Sequence, residues 1–166
     1  MPESYTINYY SMKLFHLFGA VALLLIGCSG NKAVKAPAPT TGDLPLEGTY
    51  WVLVELEGKA VGTPAQGEKP SFVYFDAGKS LVSLSGGCNV MGGSYRLLEG
   101  YRIEFGNLIS TMMACPNMEN EDGLKRMAGL VDNYAIHGDN LMFAKARMAP
   151  VARFKAATPP AGLKLN

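Results

Sequence analysis

The sequence predicts a mostly β, α+β domain. It is an antiparallel, partly open (cracked) β-barrel of about eight short strands with one inserted α-helix. Three observations lead there. Short runs of aromatic and β-branched residues recur between Gly, Pro, Asn and Asp turn signals. Gly (19) and Pro (10) make up about a sixth of the 166 residues, which suits a turn-rich β fold. Only one stretch, near residues 117–131, carries helical spacing.

The strands follow in order. Thr49–Glu57 (TYWVLVELE) is the first, closed by Gly58. Ser71–Asp76 lies between Pro70 and Gly78, and Ser80–Ser85 ends in Gly86-Gly87. Ser94–Leu98 and Tyr101–Phe105 flank Glu99-Gly100, a hairpin signal. In the second arm Tyr101, Ile103 and Phe105 alternate with Arg102 and Glu104, so one face is dry and the other wet. Asn133–His137 and Leu141–Lys145 flank Gly138-Asp139-Asn140, a second hairpin, and Val151–Lys155 follows Pro150.

The helical stretch runs for 12–14 residues after Asn117, a capping residue type. Glu119, Glu121 and Asp122 lie in its first turns, where the macrodipole favours negative charge. Leu124, Met127, Ala128 and Val131 share one face. Gly123 and Gly129 lower the propensity, so this helix needs tertiary packing. It is expected to cover the gap in the barrel, because open strand edges invite aggregation.

Upstream of the domain the chain reads as an address. Leu14–Gly27 (LFHLFGAVALLLIG) is apolar except for His16 and follows Lys13. Fourteen residues are too few to span a bilayer and suit the apolar region of a signal peptide. Leu25-Ile26-Gly27-Cys28 resembles a bacterial lipobox, in which the Cys thiol takes diacylglycerol and the freed amine is acylated. The rival readings are an ordinary secretory signal with a chance Cys, or a buried core helix. Glu3 offsets Lys13, and Met12-Lys13 makes a better n-region, so Met12 is read as the true start. Residues 1–27 are thus the lipoprotein signal peptide. Residues 28–46 are the lipidated Cys and a Pro-rich linker. Residues 47–157 are the domain and 158–166 a C-terminal tail. The spacer Asn31–Leu46 reaches up to roughly 50 Å when extended. Ser29 after the Cys, by resemblance to sorted lipoproteins, points to the periplasmic face of the outer membrane.

Hydrophobic residues are 48% and charged residues 17%, which excludes a disordered chain. With 15 basic residues against 14 acidic ones, nucleic-acid binding by bulk electrostatics is excluded too. If Cys28 carries lipid, Cys88 and Cys115 are the remaining thiols, in an oxidising compartment. A structural disulfide is the first reading. Two inert thiols, or a redox or metal pair, remain open, although neither C-x-x-C spacing nor a basic neighbour is present. Met91, Met112, Met113, Met118, Met127, Met142 and Met148 could in principle serve Cu(I), but no methionine array is visible and core filling is the plainer use. His137 stands alone beside a turn, so a Ser-His-Asp site is not expected. Gly86-Gly87 and Gly92-Gly93 are read as turn and close-approach residues, not as a phosphate loop. No catalytic residue and no metal ligand is assigned.

The ordered set Leu46-Glu47-Gly48-Thr49-Tyr50-Trp51, Gly86-Gly87-Cys88-Asn89, Gly93-Ser94-Tyr95 and Ile109-Ser110-Thr111-Met112-Met113-Ala114-Cys115, with Glu119 and Glu121 beyond, resembles the META domain of HslJ-type heat-shock lipoproteins. The resemblance covers about Leu46 to Lys155. It implies a cracked barrel with an inserted helix, similar to secretion pilotins. It also implies a stress- or antibiotic-tolerance-associated envelope lipoprotein with no catalytic residues to carry over. The expected action is binding of an envelope protein or an apolar ligand, with Trp51, Tyr95, Met112 and Met113 as candidate contacts. For Trp51 a core anchor is the plainer reading. The alternative is a pilotin-like secretion or assembly chaperone. No cofactor is expected beyond the covalent lipid at Cys28.

Overall fold

Short alternating runs can bury one face only by curling a sheet onto itself. In a computed structural model, which describes residues 42–64, 68–163 and 165, they do so. The elements are β1 (Tyr50–Leu56), β2 (Lys59–Ala60), β3 (Phe72–Asp76), β4 (Leu81–Ser85), β5 (Val90–Leu98), β6 (Arg102–Phe105), β7 (Ile109–Ser110), α1 (Glu119–Leu130), β8 (Asn133–His137), β9 (Asn140–Ala144) and β10 (Ala152–Ala157). Eight of the strands form an antiparallel ring in the order β1-β3-β4-β5-β6-β8-β9-β10, and β10 pairs back onto β1. The two-residue strands β2 and β7 hang on β1 and β5. The predicted mostly β barrel with one helix is therefore the observed architecture.

The ladder runs the whole way round. Its thinnest seam is β6–β8, joined by the single register pair Arg102↔Asn133. The expected crack is confined to this seam. α1 packs on β1, β4 and β6 and leads directly into β8. Its buried face is Glu121, Leu124, Met127 and Ala128. Asn117 Oδ1 accepts the Glu119 N–H at 3.0 Å and so serves the first turn from one residue outside the cap position.

Trp51, Phe75, Phe143 and Phe154 are fully buried and fill the barrel. Phe75 meets Tyr95 edge-on at 4.9 Å and Phe143 meets Phe154 edge-on at 5.8 Å. Such pairs contribute about 0.5–1.5 kcal/mol each beyond area burial. The barrel interior is occupied by these side chains.

Two boundaries differ from the sequence reading. β5 begins at Val90 and not at Ser94, so Gly92-Gly93 lies within a strand. The reason is close approach: a Cβ at Gly93 would sit 2.6 Å from the Asn107 carbonyl oxygen. The domain also takes in the end of the linker. Leu46 is buried, and Asp43 Oδ1 accepts the Gly138 N–H at 2.7 Å. The signal peptide, the start at Met12, Cys28 and the spacer up to Thr41 lie outside the described residues. Among the described residues no helix is long and apolar enough to cross a membrane.

Candidate functional site

The sequence motifs converge on one end of the barrel. After β4 the chain must turn beneath α1. Gly86 lies against the backbone of Glu121, where a Cβ would collide with the Glu121 N and Cα atoms. Gly87 takes a φ of 107°, a region that side chains disfavour. The turn delivers Cys88 to Cys115, and the two form a disulfide with a Cα–Cα separation of 6.3 Å.

Asn89 comes next and is buried. Its Oδ1 accepts the Thr111 hydroxyl at 2.7 Å and the Met113 N–H at 2.8 Å. Its Nδ2 donates to the Met113 carbonyl at 3.0 Å. One amide thus supplies both halves of a backbone pairing for the segment after β7. Thr111 adds a second link, its N–H donating to the Val90 carbonyl at 3.2 Å. The Asn89 N–H donates to Glu121 Oε2 at 2.9 Å. The other carboxylate oxygen lies 3.4 Å from Lys125 Nζ. Glu121 is 1% exposed, so its carboxylate faces protein and cannot reach a substrate. Left unpaired, such a buried group would cost about 1–3 kcal/mol or more.

The cluster clasps a short, apolar, outward-facing segment. Ile109 is 80% exposed, Met112 97% and Met113 52%. Two side-chain clamps and a disulfide hold this segment in one place while its tips meet solvent. Beside it is an open cleft of about 600 Å³, with Val52, Val54, Pro64, Lys69, Cys88 and Asn117 on its walls.

The four candidate contacts are not brought together. Trp51 is wholly buried, and its indole N–H donates to the Leu46 carbonyl at 3.0 Å. Tyr95 is buried, and its hydroxyl donates to Glu47 Oε1. Burial first, and that hydrogen bond second, hold the Tyr95 phenol well above its ordinary pKa. Neither residue offers surface to a ligand, because each sits on the inward side of its strand. Met112 and Met113 are at the surface, as a binding role requires. The methionines divide by use: Met91 and Met127 fill the core, and Met148 is exposed. His137 is exposed at the end of β8. Among the described residues no group of three or more His, Cys, Asp or Glu side chains could hold a metal. The sequence reading placed Glu121 as a first-turn acid and set both it and Asn89 among the family motifs, but gave neither a contact. A signal for Glu121 was present: it falls on the face of Leu124 and Ala128, which points inward.

The sequence profile of the META domain matches residues 44–158. The chain belongs to the META domain family. The family is in general non-catalytic. An NMR structure of a protein from Burkholderia xenovorans is similar to this META domain chain, with TM-score 0.53 and 24% identity. That match covers 78% of this chain and 98% of the other. A second NMR structure has TM-score 0.51 and 22% identity, covering 66% of this chain and 90% of the other. Likeness at this level carries the fold alone. Among curated proteins none matches.

Proposed function

We propose that this META domain protein is a lipid-anchored cell-envelope protein of the HslJ type, tied to stress or antibiotic tolerance, that acts by contact and not by catalysis. The anchor is Cys28, at the periplasmic face of the outer membrane. The contact is with an envelope protein or an apolar ligand on the domain's outer surface. The observation that carries this reading is the clasped segment 109–113, in which Met112 is 97% exposed although its neighbours are fixed from both sides. Isolated exposed methionines need no account, but an apolar run held rigidly outward is a surface built for a partner. A packed barrel interior directs binding to the outside.

The test has two arms. Labelled palmitate should enter the native chain and not Cys28→Ala, and membrane association should be lost with it. A photo-crosslinker at Met112 in intact cells should give a discrete adduct that one at the exposed Arg96, near the far end of β5, does not. Label persisting in Cys28→Ala would refute the anchor. Equal, diffuse adducts at both positions would refute contact through the clasped segment.

A further inference from the structure

The clasped segment is also the edge of a sheet. β7 pairs with β5, and among the described residues no other strand pairs with it. Ile109 stands opposite Gly92 and Ser110 opposite Met91. The Thr111 N–H continues the ladder to the Val90 carbonyl, and Met113 continues it to the Asn89 amide. Antiparallel pairing alternates along a strand. Ile109, Thr111 and Met113 therefore turn their N–H groups toward β5, and Ser110 and Met112 turn theirs away. The outward N–H and C=O groups of Ser110 and Met112 have no partner among the described residues.

Natural proteins protect such an edge with charge, proline or a bulge. The short edge strand β2 follows that rule: it carries Lys59, which pairs with Glu119. Residues 109–113 read ISTMM, with neither charge nor proline. Ile109, Thr111, Met112 and Met113 are all exposed, so the outer side of this edge is open. The disulfide and the Asn89 amide hold its backbone extended, which removes most of the ordering cost of pairing. An edge of this kind takes a further extended chain by main-chain hydrogen bonds.

The edge matches itself. When two copies meet antiparallel about a two-fold axis at Thr111, Ser110 of each faces Met112 of the other. Each facing pair exchanges two N–H···O=C bonds, so every outward group of both residues finds a partner. The same register sets the exposed Ile109 of one copy opposite the half-exposed Met113 of the other, an apolar cross-strand pair made twice. We infer that residues 109–113 pair with the same residues of a second copy of this chain, continuing the β4-β5-β7 sheet across a two-fold axis. The inference rests on the contact reading above, since it takes the same segment and names its partner. The five residues of this edge fall well short of the 20–30 a side that a standard interface uses. The dimer is therefore weak in dilute solution and forms where copies are crowded, as on a membrane surface.

Disulfide cross-linking tests the register. Full-length Cys28→Ser chains in mild detergent carry Ser110→Cys in one preparation and Met112→Cys in another. Facing Cα atoms of such a pair lie about 5.5 Å apart, within disulfide reach. On mild oxidation the mixture should form a dimer at least fivefold faster than either preparation alone. Random collision would instead favour Met112→Cys with itself, the more exposed thiol; that result, or no dimer, overturns the proposal. Sedimentation equilibrium needs no added thiol. The mean mass of the Cys28→Ser chain should rise toward that of a dimer with concentration. Met112→Pro removes an outward N–H and no internal bond, and should lower the association constant at least tenfold. A monomer throughout, or an unchanged constant, overturns it. The Met112 photo-adduct in cells separates this inference from the reading beneath it. An adduct with the mass of two copies supports both, and a discrete adduct to a different protein alone leaves the contact reading standing and overturns this one.

Discussion

Removing the Cys88–Cys115 bridge tests how much of the fold depends on the clasp. The bridge closes a 27-residue separation. In the chain-entropy treatment such a loop restricts the unfolded chain by roughly 3.5 kcal/mol at 25 °C. The folded domain spans residues 44–158. At about 2.1 cal/mol/K per residue, its unfolding entropy near the midpoint is about 0.24 kcal/mol/K. The expected loss in Tm for Cys88→Ser with Cys115→Ser is therefore about 15 °C. Asn89 still holds the Met113 backbone, so the native structure should survive at 25 °C. Differential scanning calorimetry of the native and doubly substituted chains reads the shift directly, and reductant added to the native chain should reproduce it. A fall of less than about 3 °C in both would refute the argument, since it would mean the unfolded chain is not constrained by the bridge.

Other perturbations separate the parts of the account. Asn89→Ala strips partners from the Met113 N–H, the Met113 carbonyl and the Thr111 hydroxyl; with partial rescue by water at the exposed side, denaturant unfolding should show a loss of about 2–4 kcal/mol. Gly86→Ala sets a Cβ against the Glu121 backbone and should lose about 3 kcal/mol or displace α1. Gly129→Ala, in the same helix with open space around it, should instead gain about 0.5–1 kcal/mol; equal effects in the pair would contradict the packing described. The Asp132 carboxyl accepts the Ala146 N–H at 2.7 Å, and this bond above all, with Lys145 beside it, lowers its pKa to about 2. Because the folded value is depressed, the stabilisation is full above about pH 4 and disappears as pH falls from 4 to 2. Asp132→Asn should flatten the acid limb of the stability curve measured by urea titration; an unchanged limb would exclude Asp132 as its source.

The fold was largely legible because its signals are local. Asn133–His137 was bounded correctly by hairpin chemistry, since Gly138 with a φ of 60° must turn the chain there. The helix was found from its apolar spacing and acidic first turn. β2 and β7 are two residues long and carry no period, so nothing in the sequence announces them. Ring closure was not legible either, because pairing β10 with β1 joins residues about a hundred positions apart. The candidate site was half legible. The ordered motifs marked the right residues, and the disulfide joins the predicted pair. What Asn89 and Glu121 do depends on tertiary approach: a strand end, a loop and a helix meet at one amide. Tyr95 was read as a binding residue and strand alternation places it inside, whereas Trp51 is the core anchor that was its plainer reading.

The central claim is that the META motifs build a clasp holding an apolar segment outward. Amide hydrogen exchange at Met113 tests it most directly. In the native chain this amide should be protected to a degree comparable with the β4 and β5 ladder, although its side chain is half exposed. In Asn89→Ala its protection should fall at least a hundredfold while the β8 and β9 amides stay unchanged. A Met113 amide that exchanges in the native chain at the rate of free peptide would contradict the account.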